Sequence, residues 1–435
     1  MKRGTRTSTF VALGALLVVP LGAASSCSAD AETSNFADTG TGGATTTGGG
    51  GGATTTTGAG GFNVGGQNAG GGTGGSITCT PGGDDDDVDL DGFTPAQGDC
   101  DDCDPNQNPN AVEVVTKDGE EPFDEDCDGQ VDEVDPPCDT GLAIDESDPL
   151  VAIQAVELCK VSSGPDDWGV VSAKWAMADG SAPPATPNFD LGHGLLDGFG
   201  PNVTMQRGER MLGLSSGSAR QPTDPGYQDV GGFDKGYIGT PPMGFPKESP
   251  ACPGSITGEP HDVAGLEVTI RVPSNAHGFS FDFDFYTYEW PGYVCSTFND
   301  FFVALLSPIP PNQLDGNISF DSQGNPVSVN NAFLEVCGCL GNPPAPCLAG
   351  GKSFTCPLGD TSLIGTGFGF DTAFQDHGST EWLQTKAPVD PGTEMTLRWA
   401  VYDSGDGILD TTTLVDNFQW IAQAGVKVGT DPVPK

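Results

Sequence analysis

From Trp168 onward the apolar residues fall in short runs, many of them alternating with polar ones, and Gly, Pro, Asn and Asp break the runs apart. The runs at 170–178, 266–272, 279–288, 301–306, 395–402 and 413–422 read as β-strands, because a period of two sends alternate side chains to one face. No long amphipathic helix separates them, which argues against a parallel α/β sheet. The pattern predicts a mainly β domain over 166–425, an antiparallel β-sandwich of jelly-roll type, with a short tail at 426–435. Within it, 223–258 and 308–360 read as long, Cys- and Pro-rich insertions held by disulfides. Upstream, Ile144, Leu150, Ile153, Val156 and Leu158 lie near helical spacing. They predict one short helix in a connector over 139–165, capped by Ser147 or Asp148 with Pro149 in its first turn. Residues 39–80 carry no charge and are mostly Gly, Thr and Ala, so 27–78 are read as a flexible linker. About 40 such residues span roughly 35 Å as a random coil.

Charge isolates one further segment. The chain carries 17 basic and 60 acidic residues, net −43, and a pI near 4.1. That excludes nucleic-acid binding and attraction to anionic lipid, both of which need a basic surface. Residues 84–135 hold 21 acidic side chains against Lys117 alone, a net −20. The charge is phased: Asp87-Val-Asp89-Leu-Asp91-Gly92 and Asp124-Glu-Asp126-Cys-Asp128-Gly129 both open like an EF-hand calcium loop. In the first loop Asp87, Asp89 and Asp91 would bind through side chains and Phe93 through its carbonyl. The twelfth position falls on Gly98, so Asp99 or Asp102 must complete the shell. The second loop offers Asp124, Asp126, Asp128, Gln130 by carbonyl, Asp132 and Asp135. Carboxylates in this phase favour Ca²⁺. The plain alternative is a solvated acidic linker. The module over 79–138 has few large apolar residues, so metal and disulfides would have to stand in for a core.

The run Gly98-Asp-Cys-Asp-Asp102, Asp104-Pro, Asn108-Pro-Asn-Ala-Val-Glu113, Asp126-Cys-Asp-Gly129 and Asp132-Glu133 resembles the MopE-related metal-binding motif of exported bacterial proteins. Where that family has a Cys this chain has Val114-Val115, and it gains Cys103, which implies a rewired disulfide. The resemblance brings copper in as an alternative metal. A second resemblance covers most of 170–422. Phe281-Asp-Phe-Asp-Phe-Tyr-Thr-Tyr-Glu-Trp-Pro-Gly-Tyr293, Phe298-Asn-Asp-Phe-Phe302, 212–218 and Leu397-Arg-Trp-Ala-Val-Tyr-Asp-Ser-Gly-Asp-Gly-Ile-Leu-Asp410 are similar to the choice-of-anchor L domain. This implies a surface domain rather than a particular activity.

The N-terminus fits export. Lys2, Arg3 and Arg6 precede an apolar stretch at 10–21, too short to span a bilayer, so 1–26 read as a signal peptide. Ala24-Ser25-Ser26-Cys27 resembles a lipobox, which implies a lipid anchor on Cys27 in an outer-membrane or secreted protein. Ordinary cleavage after Ala24 is the alternative. Of 13 Cys, 12 then remain, clustered in 79–159 and 252–356, and are expected to form local disulfides.

A second metal site is a candidate at Asp403, Asp406 and Asp410, with Glu289, Asn299 and Asp300 after neighbouring strands. Turn-forming Asp and Gly would give the same pattern. Tyr286, Tyr288 and Trp290 face away from Phe281, Phe283 and Phe285. They would form a sugar platform or, as the favoured reading, cover a second layer. The four His fit no zinc pattern and read as turn or surface residues. Together these features predict a calcium-stabilised, non-enzymatic binding or adhesion lipoprotein with a carbohydrate or protein ligand. An extracellular hydrolase using the Asp403 group, or a copper-binding protein, are the alternatives.

Overall fold

The computed structural model describes residues 79–116, 119, 121–330, 333–338, 347–369 and 377–434. The signal peptide, Cys27 and the linker lie outside the described residues, as does Cys339. Among the described residues fifteen strands follow one another: β1 (Gly169–Trp175), β2 (His193–Leu196), β3 (Met211–Ser215), β4 (Pro260–Arg271), β5 (Gly278–Thr287) and β6 (Phe301–Ser307). Then come β7 (Val327–Ser328), β8 (Val336–Cys337), β9 (Cys347–Ala349), β10 (Lys352–Phe354) and β11 (Gly378–Ser379). The last four are β12 (Leu383–Pro388), β13 (Glu394–Ser404), β14 (Thr411–Ile421) and β15 (Gly429–Pro432). All six runs read from the sequence are strands, most of them displaced by only one to three residues at an end.

Two antiparallel sheets result. The first has the order β1-β4-β13-β6-β7; the second runs β15-β12-β5-β14-β3-β2, with β11 bridging β5 and β8. β9 and β10 pair separately. Between the two large sheets lies the main core. Leu266, Val268, Ile270, Leu397, Trp399 and Val401 from one sheet meet Phe279, Phe281, Phe283, Leu212 and Leu214 from the other. Phe281 meets the Trp399 ring edge-on at 5.6 Å, and Phe283 lies 4.8 Å from Phe302. Each such side chain contributes about 1.5–3 kcal/mol by leaving water.

All ten residues of β5 are buried, including those on its outer face, because loops cover the second sheet. Tyr286 and Tyr288 pack there with Phe199 and Phe368, and Trp290 packs with Val294 and Phe354. The sugar platform is therefore not formed; these rings are the second-layer cover. His193 and His377, read as turn or surface residues, are buried too. His193 stacks on Trp175 at 3.8 Å, and burial drives its pKa down to about 3. The connector helix is shorter than its apolar spacing suggests. One α-turn, Pro149–Ala152, passes into a 3-10 turn, Ile153–Val156. Its start is as expected, with Asp148 accepting from Leu150 N–H at 2.9 Å.

Among the described residues the disulfides are Cys79–Cys103, Cys100–Cys127, Cys138–Cys159, Cys252–Cys295 and Cys337–Cys356. All stay within the two expected groups. Cys103, the additional cysteine, pairs with Cys79.

Candidate functional site

Among its described residues the acidic module has little regular structure, only a 3-10 turn at Pro95–Gln97, and its loops are built by the carboxylates themselves. Asp87 accepts from Leu90 N–H at 2.7 Å and Gly92 N–H at 3.2 Å; Asp91 accepts from Phe93 N–H at 2.7 Å. The second loop repeats this, with Asp124 accepting from Asp128 N–H at 3.1 Å and Gly129 N–H at 3.0 Å. Gly92 and Gly129 take φ values of 99° and 92°, a conformation that side chains resist, so the glycines are required. The turns gather Asp87, Asp89 and Asp91 so that one oxygen of each lies within 4.8 Å of the others, and do the same for Asp124, Asp126 and Asp128.

Asp99 lies beside the first group. It is buried, its charge acts on both Asp89 and Asp91, and Asp89 Oδ2, Asp91 Oδ2 and Asp99 Oδ2 are all buried without a hydrogen-bond partner. Burial, reinforced by neighbouring carboxylates, pushes Asp91 up to about 6 and raises Asp89 and Asp99. Asp102 does different work. Its two oxygens accept from Gly82 and Val88 N–H, both at 2.8 Å, tying the start of the first loop and the segment before it to the Cys100–Cys103 turn. In the second loop Asp132 accepts from Thr116 N–H, and Asp135 offers its carbonyl to Arg207 Nη2 at 2.7 Å. A further convergence lies beside them: Glu113, Asp126 and Glu133 also come within 4.8 Å of one another, and Glu113 Oε2 and Glu133 Oε2 are buried and unpartnered. Loop numbering passed over Glu113 and Glu133, although both stand in the MopE-like pattern.

The module is hydrogen-bonded to the sandwich. Asn275 accepts from Val112 N–H at 2.9 Å and donates to Val112 O at 2.8 Å, and Ser274 N–H reaches Asn110 O at 2.8 Å. Just beyond it, buried Asp139 accepts from Glu209 N–H and Arg210 N–H.

A second group lies at one end of the sandwich. Thr287 pairs with Thr411, and Phe301 with Tyr402, so the crossovers 288–300 and 405–410 leave the sheets at the same end. Topology thereby brings together Glu289, Asn299, Asp300, Asp403 and Asp410, none more than 2% exposed. Asp300 is the hub. It accepts from Ser404 N–H at 3.3 Å and from the Thr411 hydroxyl, its own N–H binds Glu289 Oε2 at 3.1 Å, and its charge bears on Asp403 and Asp410. The four carboxylates neighbour one another through Asp300 rather than converging on one point. Asp406 stays half-buried in its own turn, accepting from Ile408 N–H at 3.2 Å. Burial holds Glu289, Asp403 and Asp410 well above the usual carboxylate range and Asp300 at about 7; repulsion from Asp300 adds to the first three, and the Lys235 charge opposes it at Asp410. Buried Lys235 supplies a positive charge near Asp410, but its Nζ donates to Ser215 O at 2.8 Å. A hydrolase would need these carboxylates in an open groove; the structure closes them off.

Residues 255–417 match the family model of the Choice-of-anchor L domain. The match runs from just before β4 into β14 and contains Glu289, Asp300, Asp403 and Asp410. No curated protein and no solved structure matches the chain. A choice-of-anchor domain marks a cell-surface or extracellular protein. Among the described residues, no helix is long and apolar enough to cross a membrane.

Proposed function

We propose that this is a cell-surface binding or adhesion protein without enzymatic activity, whose Asp-rich module is ordered by Ca²⁺ and whose Cys27 carries a lipid anchor. The observation that carries the calcium reading is the set of five buried, unpartnered carboxylate oxygens on Asp89, Asp91, Asp99, Glu113 and Glu133, at or beside the convergences of three acids. A buried carboxylate oxygen without a donor is costly, and a hard cation removes that cost. Every described Cys is in a disulfide, so the module offers no thiolate, and oxygen donors favour Ca²⁺ over copper. The ion would do here what the missing apolar core does elsewhere.

Ca²⁺ at a hundredfold excess over its Kd would stabilise the module by about 2.7 kcal/mol. Limited proteolysis and melting in Ca²⁺ and in EDTA test this. Protection of 84–135 by Ca²⁺ is expected, and identical behaviour in both buffers sinks the proposal. A stronger response to Cu²⁺ than to Ca²⁺ would favour the copper alternative instead. The anchor is tested by Cys27→Ala, expected to release the protein from membranes; a variant that stays bound shows that Cys27 is not the anchor.

A further inference from the structure

We infer that the cleft between the acidic module and the sandwich is a binding site for a neutral carbohydrate, with Trp168 and Trp420 as its stacking platform. The inference rests on the reading of a surface binding protein with Ca²⁺ in the module, and it names where the ligand sits. The cleft holds about 880 Å³, within the usual range for ligand sites, which favour seams between structural units. Glu113, Val114, Val115, Asp126 and Glu133 line it from the module. Trp168 and the end of β14, residues 418–423, line it from the sandwich.

Three features match the parts of a sugar ring. The first is aromatic. Of the six Trp, Trp290, Trp382 and Trp399 are buried, and Trp175 gives its indole N–H to Ser147 O at 2.8 Å. Trp168 and Trp420 are half-buried, and among the described residues neither indole N–H has a hydrogen-bond partner. Their rings stand at 88° with centroids 6.5 Å apart, and Lys160 Nζ, 4.4 Å from the Trp168 ring centre, braces that ring. An indole face takes the C–H side of a sugar and leaves its N–H for a hydroxyl. The second feature is backbone. β3 pairs with β14 only over Thr412–Val415, and Ile421 O accepts from His277 N–H beside β5. Alternation therefore turns Trp420 N–H and C=O away from β5, onto an edge that no strand pairs among the described residues. A bulge between Asp416 and Gln419 interrupts that edge. It offers hydroxyls a fixed donor and acceptor rather than the continuous row that a peptide strand needs. The third feature is charge. Both bases of the cleft are engaged, Lys160 by Asp167 at 3.1 Å and Arg207 by Glu157 at 3.5 Å and Asp135 O at 2.7 Å. An anion finds no free cation, while Glu113, Asp126 and Glu133 converge on the module wall. Carboxylates accept from hydroxyls, and Ca²⁺ held there, which takes roughly six to eight oxygens, can complete its shell with them.

The full chain on an array of neutral glucan, mannan and galactan oligosaccharides, in Ca²⁺ and in EDTA, tests the inference. Binding to at least one of these in Ca²⁺ is expected, weakened tenfold or more by Trp168→Ala and by Trp420→Ala. Trp420 also packs on the core, so Trp168→Ala, in the segment before β1, carries the test if Trp420→Ala folds poorly. No binding to any of the sugars, retention of a Lys-rich peptide in their place, or equal binding by the parent and Trp168→Ala overturns the site. Protection of 84–135 by Ca²⁺ scores the calcium reading separately. Protection without sugar binding leaves that reading standing and removes this one. Sugar binding that Trp168→Ala weakens, without protection, upholds the cleft and removes the ion.

Discussion

The module and the crossover end of the sandwich both gather carboxylates, by opposite routes. In the module the acids are neighbours in sequence, and short turns assemble them. Asp87 and Asp124 each take their hydrogen bonds from amides three to five residues away. At the sandwich end the acids are far apart in sequence, up to 121 positions between Glu289 and Asp410, and the sheet topology assembles them. The first arrangement is partly open to water and forms only as well as its loops are held. The second is imposed by a core of Phe and Trp that would bury those carboxylates whether or not their charge is met. Local assembly leaves the grouping dependent on its turns and disulfides; tertiary assembly rests it on the packed core.

The largest test breaks the local side. Cys100–Cys127 ties the first loop to the second. Removing a disulfide from a segment with so little core typically costs about 2–5 kcal/mol. Cys100→Ser with Cys127→Ser is expected to abolish the Ca²⁺-dependent protease resistance of 84–135 while the sandwich melts within a few degrees of the parent. Loss of the sandwich transition as well would show that Asn275, Ser274 and Asp139 couple the two regions into one cooperative unit.

The same contrast explains what the sequence could show. The strands were legible because β4, β5, β13 and β14 keep a period of two or a continuous apolar run, and Phe281 and Phe283 lie where that period puts them. The first acidic loop was legible because Asp87, Asp89 and Asp91 are consecutive odd positions, and of Asp99 and Asp102, both offered for its last place, Asp99 is the one whose charge acts on Asp89 and Asp91 while Asp102 is taken up by backbone amides. Glu113 and Glu133 were not: Glu113 arrives from another chain segment, and Glu133 falls between the ligand positions of the second loop. The sandwich group was only half legible. That acids follow neighbouring strands could be read; that β5–β6 and β13–β14 cross between sheets at one end, and so bury those acids, could not. Asp406 was grouped with them because it sits in the same turn, yet it stays half-buried outside. The outer face of β5 was legible as cover for a second layer from Tyr286 and Tyr288, and the covering loops bury Asp282 and Asp284 with them.

A smaller effect sharpens the contrast through pH. Asp284, away from both carboxylate groups, is buried on the outer face of the second sheet with Oδ1 accepting from Ser379 Oγ. Burial, then the charge of Glu381, pushes it up to about 7 from an ordinary value of 3.8. The folded chain therefore keeps this proton in a range where the unfolded chain has released it. Stability from this group is fully present below about pH 4 and is lost as pH rises towards 7, with a ceiling of about 1.4 kcal/mol per pH unit. Asp284→Asn, which keeps the acceptor for Ser379 and cannot ionise, is expected to remove that part of the slope when urea midpoints are compared at pH 5 and pH 8 in EDTA. The slope left over is shared by Asp416, held at about 8 by burial, by Asp91, raised to about 6, and by the crossover carboxylates. Equal slopes in parent and variant would mean that Asp284 is already ionised in the folded protein, so that burial in this sandwich neutralises fewer carboxylates than its geometry implies.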